Sequence, residues 1–234
     1  MFDAFWSKPP GQVRSALELS GQPAAIFDVD RTLVVPSSME KVFVPFLIRR
    51  GYLRAPDLAR YVLLYLARGL GGDVSAAQNK AHLQGKDPGE LERLAAECFQ
   101  SKILPRISAE GRRCLNDHRR QGHLVVLLTG SLEPLAAQIQ RELGADLVLS
   151  TRLEVKNGAL SGQLEGLRPY GPEKARLVRQ LALTHGIDLA CSHAYGDHHS
   201  DYELLHAVGH PHAVNPDHLL RRKALARGWP ILQF

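Results

Sequence analysis

Short apolar runs that each stop on a polar or charged residue recur along this chain, and they constrain its fold more than any other feature. The runs at 24–27, 124–128 and 147–149 are apolar at successive positions instead of alternating. A strand written this way has both faces buried, the condition of a parallel sheet covered by helices. From residue 108 onward the runs alternate with helical segments, which is the order of crossover units. Helices are predicted through Cys114 and His118, over 135–143, over 172–184, after Asp201 and over 217–227. Strands are predicted at 124–128, 147–150, 152–155, 194–195 and 212–214, and Pro230 makes 229–232 an edge strand. Asn157-Gly158 signals a type I′ hairpin, with Gly162 closing that ribbon.

The stretch from 38 to about 106 reads differently. It is helical in pattern and broken at Gly51, 69–72 and 87–89. Leu58, Tyr61, Val62, Tyr65 and Leu66 fall at i, i+3, i+4, i+7 and i+8, the stripe of an amphipathic helix whose first role is packing. The expectation is an α/β protein: a doubly wound parallel-sheet core over 1–35 and 107–234, with a small helical cap, 36–106, inserted after the first strand. At 234 residues the chain can bury the core this requires.

Composition narrows the setting. Cys98, Cys114 and Cys191 are an odd number without metal-finger spacing and read as buried thiols of a reducing, cytoplasmic protein. Residues 1–21 carry Asp3, Lys8, Pro9-Pro10 and Arg14 and lack the layout of a secretory signal. The most apolar stretches, 42–48 and 61–67, are far shorter than the roughly 20 residues of a membrane span. The net charge of +5 is modest, and nothing in its pattern calls for a nucleic-acid partner. Basic residues between 39 and 70 form either a solvated helix face or a surface that welcomes an anionic substrate.

Four polar elements follow the predicted strands or open helices: Asp28/Asp30/Thr32, Thr129-Gly130-Ser131, Lys174, and Asp197 with Asp201. Carboxylates at the carboxyl edge of an open α/β sheet stand where ligands bind. The segments Phe-Asp-Val-Asp-Arg-Thr-Leu (27–33), Leu-Leu-Thr-Gly-Ser (127–131), Gly-Pro-Glu-Lys (171–174) and Tyr-Gly-Asp-His-His-Ser-Asp (195–201) together resemble the phosphoserine phosphatase-like branch of the haloacid dehalogenase superfamily. The resemblance covers nearly the whole chain, and the insertion matches that branch's helical cap.

The resemblance implies an Mg²⁺-dependent phosphomonoesterase. Asp28 would be the nucleophile that forms an aspartyl-phosphate, and Asp30 the group that protonates the leaving alcohol and later deprotonates water. Thr129 and the Gly130 amide would hold phosphate oxygens, and Lys174 would neutralise Asp28 and the phosphoryl group. The cation would be held by the Asp28 side chain, the Asp30 carbonyl and Asp197. Asp201 would ligate through water or orient Lys174, or cap the helix that follows it.

Two features depart from the pattern or compete with it. Position 31 is usually small in the family, so Arg31 is either a solvated side chain or an extra anion contact at the substrate mouth. An acidic residue that would read the ammonium of phosphoserine is missing, since Ser37 stands where it is expected and Glu40 is a turn late. His198 and His199 invite a zinc reading, but consecutive residues do not share one helix face, and they read as loop or surface histidines. His210 and His212 bracket Pro211 and read as local packing. The substrate expectation is a small phosphorylated metabolite such as histidinol phosphate, with a lysophospholipid-type or phosphoserine-like phosphate as alternatives. A phosphate-binding regulatory module without turnover, with Arg31 as the lesion, is the reading from a different class.

Overall fold

The computed structural model describes residues 21–60, 62 and 80–234. Seven strands form one sheet in the order β4-β3-β2-β1-β5-β6-β7. They are β1 (Ala24–Asp28), β2 (Leu124–Leu132), β3 (Leu147–Lys156), β4 (Ala159–Glu165), β5 (His193–Gly196), β6 (His210–Val214) and β7 (Ile231–Leu232). Every pairing is parallel except β3 with β4. After β1 the chain builds outward through β2, β3 and β4, then returns to the other side of β1 to lay down β5. That reversal opens a crevice at the carboxyl end of β1, where the two aspartates are.

The continuous apolar runs are explained by burial on both sides. Phe27, Val125 and Leu127 join one apolar cluster, whereas Ile26, Val126 and Leu128 join the other. The first cluster is roofed by α1 (Met39–Arg49), α2 (Pro88–Cys98), α3 (Ala109–Arg120) and α4 (Glu133–Leu143). Phe43, Leu47, Leu91 and Leu94, all between residues 36 and 106, belong to this cluster, so the described part of that segment shares a core with the sheet. The second cluster is covered by α5 (Pro172–His185), α6 (Tyr202–His206) and α7 (His218–Arg227), through Leu177, Leu181, Leu204 and Leu220. Ser38, Asp87, Ser108 and Asp217 cap α1, α2, α3 and α7 by accepting a backbone N–H three residues on.

Several boundaries differ from the sequence reading. The strands expected at 147–150 and 152–155 are one: Thr151, between them, pairs with Leu132 of β2, so the strand passes from its pairing with β2 into its pairing with β4 without a break. Gly162 lies inside β4 instead of closing the ribbon. Asn157 (φ 51°) and Gly158 (φ 77°) do form the expected turn, both with the positive φ that type I′ requires. Only Cys98 is buried; Cys114 is half-buried and Cys191 exposed, and all three are free. The stripe at 58–66 falls mostly outside the described residues; of its members Leu58 is half-buried and Val62 exposed. Among the described residues no helix is long and apolar enough to cross a membrane.

Candidate active site

β1 ends on Asp28 and the chain turns at once. Leu33 and Val34 both donate their N–H to the Val29 carbonyl, and Arg31 N–H donates to Val34. Arg31 itself sits at φ 68°, a left-handed conformation uncommon outside glycine. This tight turn holds Asp28 and Asp30 at the same sheet edge while separating their environments.

Asp28 is buried against Lys174, from the first turn of α5, whose Nζ donates to Asp28 Oδ1 at 2.5 Å and to Asp201 Oδ1 at 2.6 Å. Asp28 Oδ2 is buried and has no hydrogen-bond partner. Asp197 follows β5, and carboxylate oxygens of Asp28, Asp197 and Asp201 lie within 4.8 Å of one another. Gly196 makes this approach possible, since an added Cβ there would stand 2.9 Å from that of Asp201. Asp201 Oδ2 accepts the His198 N–H at 3.1 Å. The Asp201 side chain does not cap the following helix, because both its oxygens are engaged by Lys174 and His198.

Asp30 belongs to a different network. Its Oδ2 accepts from Thr129 Oγ at 2.7 Å and Ser131 Oγ at 2.9 Å, and its Oδ1 accepts the Met39 N–H at 2.6 Å. Thr129, expected as a phosphate contact, thus donates to Asp30 here and accepts from the Ser131 N–H. Ser131 and Arg168 are neighbours that sequence reasoning gave no role. Ser131 was legible as the end of the Thr-Gly-Ser segment. Arg168, whose Nε lies 3.4 Å from the Gly130 carbonyl, precedes the Lys174 segment with no signal of its own.

Electrostatics sets the two networks apart. Burial pushes the Asp28 carboxyl well above the ordinary range; Lys174 opposes this, and the Asp201, Asp197 and Asp30 charges reinforce it. Burial and the Asp201 charge push Asp197 up to about 7 against the pull of Arg31 and Lys174. Burial would by itself lower Lys174, but the Asp201 and Asp28 charges more than reverse it, so the ammonium stays charged. Three buried carboxylates therefore share too little positive charge. A bare, buried Asp28 Oδ2 facing an all-oxygen donor set fits a hard divalent cation such as Mg²⁺.

One expectation is corrected and another refined. Arg31 neither floats in solvent nor stands free for an anion: its guanidinium pairs with Asp197 Oδ2 at 2.8 Å, because the left-handed turn aims a long side chain back over the sheet edge. His198 and His199 are loop and surface histidines as expected, but they do converge. They lie in a 3-10 turn outside regular α-helix, their rings are 4.0 Å apart, and both reach Asp217 Oδ2, at 3.4 and 2.8 Å.

Residues 25–206 match the profile of haloacid dehalogenase-like hydrolases. A Streptomyces azureus protein named for inhibition of morphological differentiation is 38% identical over 90% of this chain and 78% of its own length. A phosphoserine phosphatase of Mycobacterium tuberculosis is 35% identical over 90% of this chain and 70% of its own. A crystal structure of a Bordetella pertussis protein of unknown function superposes with a TM-score of 0.77 at 29% identity, covering 91% of this chain and 99% of that one. The chain belongs to the haloacid dehalogenase-like hydrolases, as its four motifs led one to expect.

Proposed function

We propose that this chain hydrolyses small phosphate monoesters through an aspartyl-phosphate, with Mg²⁺ held at the carboxylate cluster. The observation that carries the reading is the division of labour between two carboxyl groups only two residues apart. Asp28 has one oxygen on Lys174 and the other bare and buried, as a nucleophile requires. Asp30 is held away from that cluster by Thr129, Ser131 and the Met39 N–H, oriented for proton transfer.

In this reaction one oxygen of the Asp28 carboxylate attacks phosphorus as the bond to the alcohol oxygen breaks, and Asp30 gives that oxygen its proton. Asp30 then takes a proton from water, whose oxygen attacks phosphorus and releases Asp28 together with inorganic phosphate. Thr129, the Gly130 N–H and Lys174 stabilise charge on the phosphoryl oxygens. Mg²⁺, held by Asp28, Asp197 and the Asp30 carbonyl with Asp201 behind, would supply the positive charge that two carboxylates and a phosphate dianion need. Residues 36–106 act as the cap that selects the substrate, over a core of 1–35 and 107–234.

The substrate is a small phosphorylated metabolite, with histidinol phosphate as the representative. Phosphoserine is the weaker choice despite the named relative. Glu40, the nearest acidic candidate for reading its ammonium, is already engaged by Lys80 Nζ at 2.8 and 2.9 Å. A cytoplasmic setting accords with three free cysteines. The second reading, a phosphate-binding module without turnover, draws on the Arg31–Asp197 pair, which occupies a proposed metal ligand.

The test is hydrolysis of an aryl phosphate with and without Mg²⁺, followed by a screen of phosphorylated metabolites and lysophospholipids. Mg²⁺-dependent turnover that disappears in Asp28→Asn is expected. Full activity in that variant would overturn the nucleophile assignment, and a silent wild type that gains turnover as Arg31→Gly would favour the module.

A further inference from the structure

The amino edge of the sheet, opposite the aspartates, gathers five histidines. His118 comes from α3, His123 immediately precedes β2, His193 opens β5, and His210 and His212 lie in β6. The parallel register sets His193 beside His210. Ring centroids are 4.6 Å apart for His118–His193 and His193–His210, and 5.0 Å for His118–His123. One ring nitrogen from each of His118, His123 and His193 lies within 4.8 Å of the other two.

The hydrogen bonding within this group is incomplete. His118 Nδ1 lies 2.8 Å from His123 Nδ1, and His118 Nε2 lies 2.6 Å from the Tyr195 hydroxyl. His193 Nδ1 lies 3.2 Å from His212 Nε2, while His212 Nδ1 is buried without a partner. A neutral imidazole has one N–H and one lone pair, so a contact between two ring nitrogens needs one to donate while the other accepts. The cluster's hydrogen bonds run between its own rings and Tyr195, with no carboxylate taking part. Such a site is rich in nitrogen lone pairs, with Asp117 acting on His118 only through space, which suits a borderline divalent transition ion better than Mg²⁺.

We propose that His118, His123 and His193 form a binding site for a divalent transition-metal ion of the zinc class, separate from the carboxylate cluster and on the opposite edge of the sheet. Tyr195 fixes the His118 ring and His212 fixes that of His193, the orienting partners that metal-binding imidazoles ordinarily have. Two nitrogens sharing a tetrahedral zinc stand roughly 3.3 Å apart, so the 2.8 Å contact between His118 and His123 opens by about half an ångström as the ion enters. His123 and His193 are half-buried and His210 is exposed, which leaves a route from solvent. Burial and neighbouring imidazoles lower His118 and His193 to about 4, so their lone pairs are not taken by protons at neutral pH.

The site is tested on the untagged chain in saturating Mg²⁺, which occupies the carboxylates. After loading with Zn²⁺ and gel filtration, elemental analysis is expected to find about one zinc per chain. Co²⁺ is expected to give the visible spectrum of a nitrogen-ligated site. The double variant His123→Ala/His193→Ala should lose at least nine-tenths of the metal, whereas Asp197→Asn keeps it. No zinc on the wild type, or equal zinc on the double variant, overturns the proposal. Circular dichroism reports whether the double variant folds. If it does not, His123→Ala alone is measured by titration, where a tenfold loss of affinity supports the site and an unchanged affinity overturns it.

Discussion

The carboxyl and amino edges of this sheet both bury clusters of titratable groups, and the same physical cause drives them in opposite directions. Desolvation penalises the charged form. At the carboxyl edge it raises Asp28 and Asp197, a penalty that a bound cation would relieve. At the amino edge it lowers His118 and His193, so the imidazoles shed protons and present lone pairs. One edge is short of positive charge and the other offers neutral nitrogen lone pairs. The contrast assigns a hard oxygen-seeking ion to the first and a nitrogen-seeking ion to the second.

The largest effect that separates the edges is expected from Asp28→Asn. Turnover of an aryl phosphate should fall by at least about 10³-fold, while zinc retention at the histidines stays unchanged. A loss of both would mean that the edges are not independent. Lys174→Met comes next. It leaves Asp28 and Asp201 buried without their shared ammonium, so urea unfolding of the metal-free chain should show a loss of about 3–5 kcal/mol. A loss below about 1 kcal/mol would mean that protonation of the aspartates already relieves the charge.

The carboxyl edge was far more legible than the amino edge. Asp28, Asp30, Thr129, Lys174, Asp197 and Asp201 stand at strand ends or in a first helical turn, where an apolar run followed by a polar residue is a local pattern. Their convergence follows from parallel topology, which the alternation of runs and helices already dictated. The histidines are scattered over 118–212, in a helix and at or near strand beginnings, and only the register of β5 on β6 and the reach of α3 bring them together. His210 and His212 therefore read as local packing. Arg31 escaped for another reason: its direction is set by a positive φ, which no residue-type preference announces for arginine. Arg168 was hidden because its partner, the Gly130 carbonyl, is distant in sequence, and the same distance from Asp30 concealed the role of Ser131 though not its place in the motif.

The comparison sharpens further with pH. A proton on Asp197 competes with Mg²⁺, and that carboxyl sits at about 7. Above that pH Asp197 is ionised and its contribution to affinity is at its plateau. Below it the cation must displace a proton, so affinity should fall by about tenfold per pH unit. Calorimetric titration at pH 8 and pH 6 checks the sign and the size. Zinc at the amino edge should be retained at both values, because His118 and His193 at about 4 are unprotonated throughout. Parallel losses of Mg²⁺ and Zn²⁺ over this range would remove the contrast.

The smallest expected effect tests whether Arg31 stands in for the proposed cation at the carboxyl edge. Arg31 places a guanidinium 2.8 Å from Asp197 Oδ2, so it supplies part of the positive charge that Mg²⁺ would bring. Arg31→Gly removes that competitor, and glycine adopts φ 68° freely, so the turn survives. The side chain is 42% exposed, and solvent screening keeps the pair modest. Mg²⁺ affinity at pH 8 should rise by about three- to tenfold, or about 0.6–1.4 kcal/mol. Raising the salt concentration should narrow the gap between variant and wild type, because screening weakens Arg31 in the wild type and has no pair to weaken in the variant. An unchanged affinity would mean that Asp197 serves the arginine and the cation together. A weaker one would mean that Arg31 holds Asp197 in position for the metal.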